Sequence, residues 1–213
     1  MLVGDCRSSY QVNVKRIKVA IDHLITVDPV LAPWILSLPR CDLSSKPDLF
    51  SCLCEAIISQ LVSSAAAKTL ITRVQKAIGG SFNPIHLASL DVSELRSCGL
   101  SGTKAKGLVE SARKISTGMV DLEKLATQTE SEISDTLTSI HGIGPWTAEM
   151  VMIFGMGKKD VLPVKDLGVR HGLAKLYSLK ELPNPDECLR LTEKWRPYRS
   201  VGTWYLWRIK DSM

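Results

Sequence analysis

The residues best suited to chemistry lie between 129 and 177. At His141-Gly142-Ile143-Gly144 two glycines flank one apolar residue. That spacing permits backbone conformations closed to other residues and lets the main chain come close to a ligand. Pro145 follows, in the position that suits the first residue of a helix, where its missing N–H is not needed. The amides of such a turn and of the helix start point outward together, an arrangement suited to a phosphate. Taken alone, the motif more often makes an unliganded corner between two helices. Asp166 stands 22 positions beyond Gly144, just ahead of Leu167, Leu173, Leu176 and Tyr177 at helical spacing. Its type and place are those of an N-cap, although Val169 at the third helical position gives no capping box. Lys158, Lys159, Lys165, Arg170 and His171 surround these positions in sequence and can meet phosphates. His171 has no metal-ligating partner at a suitable spacing.

The elements that must position these residues read as helices. Thr129 and Glu132 have capping-box spacing, and Ile133, Leu137 and Ile140 recur at helical period up to the glycines. Trp146 to Phe154 is apolar almost all round, which predicts a buried helix that Gly155 and Gly157 can end. Toward the N-terminus, residues 1–16 show no clear period and are expected to be flexible. Ile17, Ala20, Ile21, Leu24 and Ile25 then share a helical face, and Asp28-Pro29 starts a short helix with Leu31, Trp34, Ile35 and Leu38. After a polar connector over 39–47, Asp48 caps a helix carrying Leu49, Leu53, Ala56, Ile57 and Gln60. Ala65 to Ile78 continues helically to Gly79-Gly80. Asp91 and Glu94 open a short helix. Thr103 to Thr117 follows, with Lys104, Lys106, Arg113 and Lys114 expected outside. Leu122 and Leu125 fit a further short helix, Asp186 to Trp195 another, and Pro197 starts the last. No segment alternates as a strand would, so the expected fold is all-α, with about ten helices.

Composition bounds the rest. The chain has 213 residues, 45% of them hydrophobic, enough for a sizeable core in one domain or two small lobes. Its formal charge of +5 suits nucleic acid and equally suits a surface of solvated lysines. Cys6, Cys41, Cys52, Cys54, Cys98 and Cys188 contain no C-x-x-C pair, so their spacing argues against zinc, an iron–sulfur cluster or a disulfide framework. They read as thiols in a reducing compartment. No secretory signal is recognised, and a non-secreted protein is expected. The longest apolar stretch, near 52–71, is interrupted by Glu55, Gln60 and Lys68, which excludes a membrane span there.

The string L-x-x-I-x-G-I-G-P-W-T-A-E from Leu137 to Glu149, followed by D-V-x-P-V-x-D-L-G-V from Asp160 to Val169, resembles the helix-hairpin-helix DNA glycosylase superfamily. It looks most like the 3-methyladenine DNA glycosylase II branch, which includes the yeast alkylation-repair enzymes. The resemblance spans roughly 17–210 and takes in Ala56 to Ser63, the Leu-Arg-x-x-Gly-Leu segment at 95–100 and Trp195 to Ser200. It implies two helical lobes with a DNA-binding cleft between them, and leaves no stretch for the N-terminal β domain of some bacterial members. The helix-hairpin-helix, about 132–154, is expected to hold DNA phosphate through backbone N–H groups, with Gly142, Gly144 and Thr147 in the contact and Lys165 and Arg170 beside it. Asp166 matches the catalytic carboxylate. It would stabilise an oxocarbenium-like sugar and orient or deprotonate a water.

The same resemblance places Gln60 and Leu61 on a loop that probes the minor groove, with Leu61 as the wedge and Ser63 and Ser64 alongside. From the sequence alone the reading of Leu61 as a core leucine at a helix end is somewhat favoured. Trp146 stands where members that also cut the strand carry a lysine, which implies no Schiff base and no lyase step. Trp146, Met150 and Trp207 are expected to line the pocket for a flipped base, although aromatics at helical spacing are usually core. Main-chain oxygens of Thr138, Ile140 and Gly142 match those that hold a monovalent cation, sodium or potassium, in the family. No cofactor is required. The implied function is a monofunctional, monomeric glycosylase that removes alkylated purines of the 3-methyladenine type from damaged double-stranded DNA. The alternative is a non-catalytic relative that binds and kinks DNA at abasic sites. A nuclear location is expected in a eukaryote and a cytoplasmic one otherwise.

Overall fold

The computed structural model of the chain describes residues 6–44 and 48–212, with side chains from Arg16 onward. Every regular element among them is helical. In chain order the α-helices are α1 (Cys6–Val27), α2 (Ala32–Ser37), α3 (Leu49–Ser59), α4 (Ser64–Ala77), α5 (Pro84–Ser89), α6 (Val92–Ser97) and α7 (Gly102–Ser116). There follow α8 (Leu122–Ala126), α9 (Glu130–Thr138), α10 (Pro145–Met150), α11 (Leu167–Leu176), α12 (Pro185–Thr192) and α13 (Arg199–Asp211). The chain forms two compact units, one from residues up to Ser44 together with Gly157 onward, the other from Ser45 to Met156.

Local side-chain caps start most of these helices, because a short polar group can satisfy amides that have no partner in the first turn. Asp48 accepts from the Ser51 amide, and Asp91 and Thr129 form reciprocal boxes with Glu94 and Glu132. Four features differ from the expectations above. There are thirteen α-helices among the described residues, because short ones such as α5, capped by Asn83, add to the count. Helix α1 begins at Cys6, inside the stretch without hydrophobic period, since a helix nucleated on the face of Ile17 to Leu24 propagates at little cost. The segment after Met150 widens into a π turn over Val151–Gly155. Lys104 is not simply outside: its Nζ donates to the Ile58 carbonyl at 2.9 Å, and desolvation lowers its pKa.

In the unit that holds both termini, α11 and α13 lie in direct backbone contact. A Cβ at Gly172 would stand 2.4 Å from the Leu206 carbonyl oxygen, and one at Gly202 would stand 2.4 Å from the Trp195 ring. Leu24, Leu31, Val169, Leu173, Trp195, Leu206 and Ile209 build the core around them. Asp28, wholly buried, ties this core together. Its Oδ2 accepts from Tyr177 Oη, Trp195 Nε1 and Lys194 Nζ, and its Oδ1 from the amides of Val30 and Leu31. In the other unit Leu53, Ile57 and Ile58 of α3, Ala105 and Leu108 of α7, and Ile133 and Leu137 of α9 are buried. The five described cysteines are buried outside any disulfide, and burial pushes the Cys41 thiol up to about 12. No helix among the described residues is long and apolar enough to cross a membrane.

Candidate functional site

The glycine hairpin lies in the unit from Ser45 to Met156. Helix α9 closes with Ser139 donating to the Asp135 carbonyl, and Ile143 then donates to that of Ile140 at 3.1 Å. Gly142 takes φ +78°, the left-handed region that favours glycine. A Cβ there would also come within 3.1 Å of the Thr103 carbonyl on α7, a tighter contact than most side chains make. Pro145 occupies the first position of α10, and the amides of Thr147 and Ala148 both donate to the Gly144 carbonyl. Neither the Gly142 nor the Gly144 amide donates a backbone hydrogen bond among the described residues. The turn and helix start therefore have the form that the sequence suggests for holding a phosphate.

Residues expected beside the hairpin divide into two kinds. Leu61 is fully exposed at 103% and has φ +54°, which corrects its reading as a core leucine. An apolar side chain in solvent on a left-handed backbone costs about 1–2 kcal/mol in conformation alone. Ser64 is exposed, and Ser63 caps α4 by accepting from the Ala66 amide. Gln60 and Thr147 are different. Gln60 Nε2 donates to the Gly142 carbonyl and to Thr147 Oγ1, both at 2.9 Å, and Thr147 is 1% exposed. Gln60 Nε2 and Thr147 Oγ1 thus join each other, and the same Nε2 joins the hairpin. A partner 82 residues away leaves no local signal that could have shown this. Trp146 is half-buried on α10 and Met150 is buried. The Ile140 carbonyl accepts from the Ile143 amide and the Gly142 carbonyl from Gln60 Nε2.

Asp166 lies in the other unit. It caps α11 with φ −70° and ψ 122°, its Oδ1 accepting from the Val169 amide at 2.8 Å. The same oxygen accepts from Trp207 Nε1 at 2.9 Å. Capping thus explains the position of Asp166, and the indole fixes the direction of its carboxylate. Gly168 makes room for this pair: a Cβ there would lie 2.8 Å from Trp207 Cδ1 and 2.9 Å from Asp166 Oδ1. The loop leading to Asp166 is clamped by the start of α13. Ser200 Oγ donates to the Lys158 carbonyl and accepts from the Val161 amide. Arg199 donates through Nε and Nη2 to the carboxylate of Asp160. Lys165 is exposed, whereas Arg170 donates through Nε to the Pro183 carbonyl at 2.8 Å and is held against that loop. Gly168, Arg199 and Ser200 carry roles that sequence reasoning missed; the Asp-Leu-Gly-Val string at 166–169 was the signal for the first and Trp-Arg-Pro-Tyr-Arg-Ser at 195–200 for the other two.

An all-helical chain with a glycine hairpin opening one helix, and a capping aspartate opening another some twenty residues on, has the makings of a DNA-repair glycosylase scaffold. The chain belongs to the HhH-GPD superfamily of base excision DNA repair proteins, whose model matches residues 54–197. The DNA-3-methyladenine glycosylase 1 of Schizosaccharomyces pombe is 32% identical over 166 residues, which cover 76% of this chain and 73% of that one. A Bacillus subtilis relative, YfjP, is 31% identical over 75% of this chain, which spans only 58% of the relative's length. Among solved structures, the 3-methyladenine DNA glycosylase Mag1 of S. pombe, in complex with abasic DNA, superposes with a TM-score of 0.82. It is 29% identical, and the match covers 89% of this chain and 95% of that chain.

Proposed function

We propose that the chain is a monofunctional DNA glycosylase that hydrolyses the N-glycosidic bond of alkylated purines of the 3-methyladenine type in duplex DNA, leaving an abasic site. The observation that carries this reading is Asp166, whose carboxylate is aimed by two N–H donors on one oxygen in a chain of this family. A carboxylate fixed in this way suits a sugar that develops positive charge as the base departs, because it needs no reorganisation when the charge appears. A methylated purine is already cationic and leaves without a strong acid, so no second carboxylate is required. Trp146, at the hairpin helix, has no amine to form a Schiff base, which supports hydrolysis without strand cleavage. The exposed Leu61 suits a wedge that fills the stack when a base is flipped out. The Gly142 and Gly144 amides suit phosphate contacts, as separately does the exposed Lys165 of the other unit. Carbonyls of Thr138, Ile140 and Gly142 would hold a monovalent cation beside the hairpin, adding positive charge next to a phosphate.

The test is release of methylated bases from alkylated duplex DNA, with strand integrity followed before and after alkali. The expected result is base release with strands that stay intact until alkali is added. Strand breaks without alkali would refute the monofunctional reading. Tight binding to an abasic duplex with no base release would make the chain a lesion-binding relative without chemistry.

A further inference from the structure

Helix α3 ends at Ser59, α4 begins at Ser64, and the four residues between them carry Leu61. The Leu61 side chain stands fully in solvent on a left-handed backbone, a conformation that must be imposed by its neighbours. Two long-range contacts act on this end of α3. Lys104 Nζ, from α7, donates to the Ile58 carbonyl, fixing the last turn. Gln60 Nε2, from the residue directly before Leu61, donates to the Gly142 carbonyl and to the buried hydroxyl of Thr147, both at 2.9 Å. One amide group therefore spans the first turn of α10 and the glycine loop ahead of it. The loop is also packed against α7, where a Cβ at Gly142 would stand 3.1 Å from the Thr103 carbonyl. Gln60 is also the only residue type that fits this role at its length. A glutamate would put an acceptor against the Gly142 carbonyl, and a hydrophobic residue would leave the buried Thr147 hydroxyl without this donor.

We infer that Gln60 is a positioning residue that locks the Leu61 turn to the hairpin, so that wedge and phosphate-facing amides meet DNA as one preset surface. This rests on the reading of the chain as a protein that engages damaged duplex DNA. In this account Gln60 does not touch DNA. It acts through Leu61, and its removal leaves an intact wedge on a loop that must be ordered at the moment of binding.

A double-mutant cycle tests this. The full chain is prepared as wild type, Gln60→Glu, Leu61→Ala and the double variant, and binding to an abasic duplex and to the same duplex undamaged is titrated, with thermal unfolding followed alongside. Gln60→Glu is expected to weaken abasic-duplex binding about tenfold more than undamaged-duplex binding, the scale of two neutral hydrogen bonds lost, since its added charge weakens both alike. In the Leu61→Ala background this abasic-specific loss is expected to vanish. Thr147→Val, which removes one of the two acceptors at constant shape, is expected to reproduce about a threefold part of the loss and serves if Gln60→Glu does not fold. Additive effects of Gln60→Glu and Leu61→Ala would overturn the inference, as would a lowered melting temperature with unchanged abasic binding. If wild type does not distinguish abasic from undamaged DNA and Leu61→Ala changes nothing, the damaged-DNA reading itself fails and the inference falls with it.

Discussion

Gly168→Ala puts one methyl group where there is room for none. The added Cβ would stand 2.8 Å from Trp207 Cδ1, 2.9 Å from Asp166 Oδ1 and 3.2 Å from Trp207 Nε1, and contacts under 3.0 Å force a shift. In an open helix the change would be favourable, because alanine exceeds glycine by about 1 kcal/mol in helix propensity. Here the gain is offset. Asp166 is anchored by its cap to the Val169 amide, so the half-buried indole is the group that gives way. Its N–H then leaves Asp166 Oδ1, and a hydrogen bond to a charged acceptor contributes about 1.5–3 kcal/mol. Carried in full to the transition state, that loss slows base release by about 10- to 150-fold. Stability should change little, since about 1 kcal/mol gained stands against about 1.5–3 kcal/mol lost, a shift of a few degrees in Tm. The assay is single-turnover base release from a methylated duplex, with Tm and abasic-duplex Kd measured on the same samples. Trp207→Phe should slow release by a similar factor, and the two substitutions should not add. An unchanged rate in Gly168→Ala would refute the claim that the indole aims the carboxylate.

Leu61→Gly should leave Tm unchanged or raise it, because glycine relieves a left-handed strain of about 1–2 kcal/mol, while weakening abasic-duplex binding; calorimetry and titration check the two halves. Asp28→Asn should destabilise the chain by roughly 2 kcal/mol, since it removes the charged acceptor that Tyr177 and Trp195 share in the core, and denaturant unfolding measures this. The same carboxylate makes stability depend on pH. Burial would raise the Asp28 pKa, but hydrogen bonds from Tyr177, Trp195 and Lys194 outweigh it and hold it below the ordinary 3.8. A depressed folded pKa means that its contribution is complete above that value and is lost as pH falls through the lower one. Acid unfolding below about pH 4 should therefore be shallower in Asp28→Asn than in wild type.

What was legible in the sequence was local. Asp48, Asp91, Thr129 and Asp166 each announce a helix within three or four residues, and each accepts the expected amide. The glycine hairpin was legible because Gly142 needs a backbone that few residues adopt. Asn83-Pro84 is an equally good start signal for α5 and could have been read. The rest depends on partners far along the chain. Nothing near Gln60 indicates that its amide bonds to Gly142 and Thr147, 82 and 87 positions away. Leu61 reads as core until its exposure is seen. Asp28 looked like a helix start before Pro29, and nothing nearby indicates that it accepts from side chains 149 and 167 residues on. Trp207 was one of several aromatics at helical spacing, and only its bond to Asp166 singles it out.

The central claim is that Asp166 performs hydrolysis and is more than a cap. Asparagine caps a helix about as well as aspartate, so Asp166→Asn removes the charge and leaves the fold of α11 in place. Single-turnover release of a methylated purine from duplex DNA should be readily measured for wild type and lost by several orders of magnitude in Asp166→Asn, with abasic-duplex binding and Tm retained. Equal rates for the two proteins would contradict the account and leave Asp166 as a structural cap alone.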